Sequence, residues 1–93
     1  MMRRNQEKGK KVAFSLLAPH AKSVSLAGDF NDWNQMAHPM KKNKKGVWEL
    51  SLILAPGTHQ YNFFVDGEWQ NDPTCIEHVE NPFGTLNCLI KVG

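Results

Sequence analysis

The chain has 93 residues, a formal net charge of +2 and 41% hydrophobic residues, which fits one small domain. A chain of this length buries about 60–65% of its unfolded surface, so its core is modest and cannot house a large enclosed active site. No apolar run reaches the roughly 18 residues of a membrane-spanning helix, and Met1 to Lys11 are charged with no apolar stretch behind them, so they do not read as a secretory signal and the cytoplasm is the expected location.

In chain order, residues 1–10 are polar, charged and glycine-containing, which predicts a disordered basic tail ahead of a domain over 11–93. Of two readings, a complete small protein or an excised domain, Met1-Met2 and this tail favour the first. From Lys11 a period of two begins: Val12, Phe14 and Leu16 alternate with Ala13, Ser15 and Leu17 until Pro19. Val24 and Leu26 alternate with Ser23 and Ser25 up to Gly28. Trp48, Leu50, Leu52 and Leu54 point one way, Glu49 and Ser51 the other. Tyr61, Phe63 and Val65 repeat the period, as do Cys88, Ile90 and Val92. Five such runs predict half-buried antiparallel strands. The connections agree: Asn43 to Gly46, Ala55-Pro56-Gly57, and Asp66-Gly67, where glycine tolerates the positive φ a hairpin needs. No stretch has helical spacing and no repeat is visible, so the pattern predicts an all-β single domain, a small β-sandwich.

Nine of the eleven basic residues fall in two clusters, the tail (Arg3, Arg4, Lys8, Lys10, Lys11) and one loop (Lys41, Lys42, Lys44, Lys45). Neither interleaves with aromatics, so both read as solvated segments and no nucleic-acid or membrane partner is expected. Cys75 and Cys88 lack metal-type pairing, and without a secretory signal reduced thiols are expected. His20, His38, His59 and His78 are scattered; Cys75 and His78 stand three apart, but no second pair has zinc-like spacing, so no metal site is expected. Phosphate loops and nucleophile elbows are absent, and no cofactor is implied.

Asp29, Asp32, Asp66, Glu68 and Asp72 fall on turn segments. Paired carboxylates hydrolyse glycosides, but only where a deep cleft raises one carboxyl pKa and excludes water. Here Asp66 suits its hairpin turn and Asp29 and Asp32 suit local backbone hydrogen bonds, so no catalytic residue is assigned. Trp48, on the apolar face of its strand, belongs to the core, and Phe30 is expected to plug a strand end. Phe64 falls on the face opposite Phe63, open to cover by another strand or a partner. Trp33 in Gly28-Asp29-Phe30-Asn31-Asp32-Trp33 and Trp69 in Val65-Asp66-Gly67-Glu68-Trp69 lie on turns, among amides and hydroxyls. A flat indole stacks on the C–H face of a sugar ring while amides take the hydroxyls; partly buried packing is the competing reading.

Taken in order, VSLAGDFNDW (24–33), GVWE (46–49), PGTHQYNFFVDGEW (56–69), Asp72-Pro73 and FGTLN (83–87) resemble a family 48 carbohydrate-binding module. The likeness covers about residues 11 to 92 and is similar to the glycogen-binding domain of the AMP-activated protein kinase beta subunit. It also resembles the early-set domain ahead of the catalytic barrel in branching and debranching enzymes. The resemblance implies an immunoglobulin-like sandwich of early-set type that binds α-1,4-glucan without turning it over. It implies stacking on Trp33 and Trp69, a bulky apolar residue reaching through the glucan curve at Phe83, and hydrogen bonds from Thr85 and Asn87. Asn62 stands where the kinase-type module has a lysine, a shorter side chain that both donates and accepts. The implied partner is glycogen, starch or a maltooligosaccharide. A second reading is a module docking on a glycogen-metabolising enzyme or kinase, through Phe64 and the loop at 41–45; a third, an accessory chain of a glycoside hydrolase or transferase, has no supporting residues.

Overall fold

The computed structural model describes residues 9–93. Most of the expected basic tail, residues 1–8, lies outside the described residues, while Lys10 already opens the first strand opposite Leu54. The described residues form eight strands: β1 (Lys10–Leu17), β2 (Val24–Gly28), β3 (Lys41–Lys42), β4 (Val47–Leu54), β5 (Gly57–Val65), β6 (Glu68–Gln70), β7 (His78–Glu80) and β8 (Leu86–Val92). A single turn of 3-10 helix, Asp29–Asn31, follows β2. β1, β4 and β3 make one antiparallel sheet; β2, β5, β8 and β7 make the other, with β6 also paired to β5.

This is the expected all-β, immunoglobulin-like sandwich, and the period of two accounts for it. Phe14 and Leu16 of β1 are buried while Ser15 and Leu17 are exposed; on β4, Trp48 and Leu54 are buried and Glu49, Ser51 and Ile53 face water. The inward set of one sheet meets that of the other: Phe14 packs edge-on against Tyr61 at 5.0 Å, and Leu26, Phe63 and Cys88 are fully buried between the layers. Burying each such large apolar side chain stabilises the fold by about 1.5–3 kcal/mol. Phe30 plugs the strand end as expected, its ring 6.4 Å from Phe14. A Cβ on Gly28 would collide with the Gln60 carbonyl oxygen and the Phe30 ring, so glycine lets the turn close against β5.

β3, β6 and β7 are two or three residues long, too short for a period to show in sequence. β3 turns part of the expected solvated lysine loop into an edge strand. Its lysines stay exposed, and Lys42 Nζ stands 5.5 Å from the Trp48 ring centre and donates to the Pro19 carbonyl. Charged side chains on an edge discourage pairing with another chain. Trp48 is buried, with its Nε1–H donated to the Ala18 carbonyl at 2.9 Å.

Two expectations are corrected. Cys75 and Cys88 are joined by a disulfide rather than reduced. The loop after β6 folds back over β8 and brings their Cα atoms to 6.1 Å, within bridging distance. Asp29 makes a long-range bond rather than a local one: its Oδ2 accepts from the Gln60 amide on β5. Asn31 carries the local bonds, accepting from the Gly28 amide and donating to the Leu26 carbonyl.

Candidate functional site

On β5 the residues opposite the core face outward. Tyr61 and Phe63 point into the sandwich, so Asn62 and Phe64 belong to the other face, as Asn87 does beside Cys88 on β8. The β6 hairpin and the turn before β8 rise on either side of this face and enclose a groove of about 580 Å³. All six residues singled out in the sequence, Trp33, Asn62, Trp69, Phe83, Thr85 and Asn87, line it. Gln70, Asn71, Asn81, Pro82 and Leu86 line it as well.

The indoles come from separate turns. Asp32 and Trp33 both have φ of 57°, in the left-handed region, and the Trp33 amide donates back to the Gly28 carbonyl at 2.9 Å. That sharp reversal carries the Trp33 ring from the end of β2 towards β6. Trp69 sits on β6 opposite Phe64, and its ring lies 4.9 Å from the Phe64 ring. Phe64 is therefore covered by Trp69, the strand-cover alternative of the sequence reading. The two indoles meet with centres 6.1 Å apart and planes 75° apart, and Trp69 keeps 48% of its surface exposed.

The floor is an amide network. Asn62 is only 5% exposed; its Nδ2 donates to the Leu86 carbonyl at 3.2 Å and to Asn87 Oδ1 at 2.8 Å, and its Oδ1 accepts from Asn71 Nδ2 at 2.7 Å. Asn87 Oδ1 also accepts from Asn81 Nδ2, and Asn87 Nδ2 donates to Gln60 Oε1. A buried amide tied on both atoms is rigid, and removing one partner strands the others. Asn81 organises the far wall: its Oδ1 accepts from the amides of Phe83 and Thr85, and the turn closes through Gly84 at φ 83°. That turn leaves Phe83 89% exposed at the rim. Asn71 and Asn81 were not singled out in the sequence. The signal available was Asn81-Pro82, an amide ahead of a turn, but only the network shows it reaching Asn87.

A profile of the family described as carbohydrate-binding module 48 (isoamylase N-terminal domain) matches residues 2–81. The chain belongs to carbohydrate-binding module family 48. Among relatives of this family 48 module, the 1,4-alpha-glucan branching enzyme of Prochlorococcus marinus (strain NATL2A) is 57% identical over 46 residues, half of this chain and 6% of the enzyme. The branching enzyme of Bradyrhizobium sp. (strain BTAi1) is 45% identical over 56 residues, 60% of this chain and 8% of the enzyme. The 5'-AMP-activated protein kinase subunit beta-1 of Rattus norvegicus is 39% identical over 71 residues, 76% of this chain and 25% of the subunit. The module thus spans a quarter or less of the length of these relatives. The profile match ends at Asn81, so the wall bearing Phe83, Thr85 and Asn87 lies beyond it.

Among the described residues, one further cluster stands apart from the groove. Cys75, His78 and Cys88 bring their sulfur and ring nitrogen atoms within 4.8 Å of one another. The sequence placed Cys75 near His78, but Cys88 joins them only through the fold.

Proposed function

We propose that the groove binds α-1,4-linked glucan, as glycogen, starch or maltooligosaccharide, without catalysis, and that Trp33 and Trp69 stack on glucose rings. The observation that carries this reading is the 75° between the indole planes. Two flat platforms set so steeply suit neighbouring sugar rings that turn relative to each other. An α-1,4 chain curls in this way, whereas a β-1,4 chain is a flat ribbon that would want coplanar platforms. Aromatic faces supply the apolar contact and polar groups supply orientation, the usual division in a sugar or small-molecule site. Thr85 presents its hydroxyl at the wall and Phe83 at the rim reaches into the curve of the chain, while Asn87 is buried with its amide bonded to Asn62, Asn81 and Gln60 and shapes the floor beneath the sugar. Asn62 contributes by fixing Asn71 and Asn87 in place, because its own amide is committed to protein partners.

A shallow groove desolvates few groups, so the affinity expected is modest, with Kd of about 1 μM to 1 mM. Isothermal titration with maltoheptaose and β-cyclodextrin, followed in parallel by tryptophan fluorescence, tests the reading, with cellohexaose as the flat-chain control. Saturable heat and a fluorescence change with the α-linked sugars alone support it. Silence with all three at millimolar concentration, or equal binding of cellohexaose, rejects it.

A second reading is docking on a glycogen-metabolising enzyme, since branching enzymes are among the relatives that carry a similar segment. The exposed lysines at 41–45 are the remaining candidate contact, since Trp69 covers Phe64. Co-purification of such an enzyme, lost when these lysines are changed to glutamate, is the corresponding test.

A further inference from the structure

We propose that, in its dithiol form, the module binds a zinc-class divalent cation through Cys75 Sγ, Cys88 Sγ and His78 Nε2. The inference is independent of the glucan reading, because none of the three residues lines the groove.

The site is built by strand register. His78 on β7 and Cys88 on β8 are directly paired, so their side chains leave the sheet on the same face. Cys75 is laid over this pair by the loop that precedes β7, with its Sγ 3.1 Å from His78 Nε2. The loop is pinned at Asp72: the Cys75 amide donates to the Asp72 carbonyl, the Thr74 amide and hydroxyl donate to Asp72 Oδ1, and Tyr61 holds Oδ2. The three donor atoms lie within 4.8 Å of one another. Tetrahedral zinc with sulfur at about 2.3 Å and nitrogen at about 2.0 Å spaces its ligands by about 3.5–3.8 Å, so side-chain rotations of a few tenths of an ångström to an ångström suffice.

A second feature suits a metal thiolate. The Asp72 amide donates to Cys88 Sγ at 3.3 Å, in a fully buried setting. An N–H directed at sulfur stabilises the anionic ligand, the role that outer groups play around metal-bound thiolates. His78 is exposed and Ile76 beside the cluster is 92% exposed, so a cation can approach from the His78 side, with Cys88 as the buried ligand. Two sulfurs and one imidazole are the donor set of zinc and its tetrahedral analogues rather than of magnesium or calcium, which take oxygen.

The disulfide and the cation use the same sulfurs and exclude each other. A thiol or phosphine reductant supplies two electrons and cleaves the S–S bond, two protons complete the thiols, and the reductant leaves as its disulfide or its phosphine oxide. Cation binding then forms two metal–sulfur bonds and releases those two protons to solvent. Metal affinity is correspondingly lost when the pair is reoxidised.

The test is titration of the phosphine-reduced 93-residue chain with Co2+ under argon. Expected are thiolate-to-cobalt charge transfer and the visible bands of four-coordinate cobalt. Both saturate at one equivalent, with two protons released and the colour discharged by Zn2+. Cys75→Ser removes the charge-transfer band, His78→Ala weakens binding at least tenfold, and the disulfide form shows no band. If reduction loosens the fold, as near-ultraviolet dichroism would report, one equivalent of Zn2+ restores the parent spectrum but not that of His78→Ala. A reduced protein with native dichroism and no cobalt absorption at one equivalent overturns the proposal. So does a band indifferent to His78→Ala, or a loosened fold that zinc leaves unchanged.

Discussion

The Tyr61 hydroxyl donates a 2.8 Å hydrogen bond to Asp72 Oδ2, and both residues are buried. One carboxylate therefore ties a core ring on β5 to the loop that carries Cys75, and its second oxygen holds Thr74 in the same loop. Burial first, then the hydrogen bond to Asp72 and its charge, push the Tyr61 phenol above its ordinary range.

Tyr61→Phe strands a buried carboxylate oxygen and should cost about 1–3 kcal/mol in urea unfolding. Because the phenol is raised in the native state, the native protein holds its proton above about pH 10 while the unfolded chain releases it. The stabilisation is present in full below about pH 10 and lost as pH rises further. The gap between parent and variant should therefore narrow in alkali. A gap independent of pH up to the point of unfolding contradicts this account.

Trp33→Ala and Trp69→Ala should each weaken maltoheptaose binding about tenfold or more, equivalent to about 1.4 kcal/mol. Trp69 is half exposed, so its replacement should leave the cooperative unfolding transition in place. Calorimetric titration of the two variants decides the point; parent-like affinity in both removes the stacking assignment.

Asn62→Ala should act differently from Phe83→Ala. Asn62 is 5% exposed and serves Asn71, Asn87 and the Leu86 carbonyl, so its loss should cost about 1–3 kcal/mol of stability and also weaken sugar binding. Phe83 is 89% exposed, and removing it should change stability by less than about 0.5 kcal/mol while lowering affinity. Paired urea and glucan titrations separate the two, and a stability-neutral Asn62→Ala would mean the network does not hold the floor.

Asp66 Oδ1 accepts from the amides of Ser23 and Lys22, each at 2.8 Å, and these bonds hold its carboxyl below the ordinary range. A lowered native pKa means stability that is present above the unfolded value of about 3.9 and lost as pH falls through the native one. Asp66→Asn should lower the urea midpoint at neutral pH and flatten its fall in acid. Parallel pH profiles for parent and variant would remove this role.

The amino-acid sequence alone determined the strand faces and the turn positions. Alternation is local, so Phe14 and Leu16, or Trp48 and Leu54, declare their inward side within one run. Trp33 and Trp69 stood out by turn chemistry, whereas Asn62, Phe83, Thr85 and Asn87 were named only through the resemblance; all six line the groove. The tertiary structure decided what depends on register between distant segments. It set Asn71 and Asn81 around Asn62 and Asn87, set the indoles 75° apart, and joined Cys75 to Cys88 with His78 opposite. β6 and β7, of three residues each, carry much of this, and a run so short has no period to read; only pairing with β5 and β8 gives it a place.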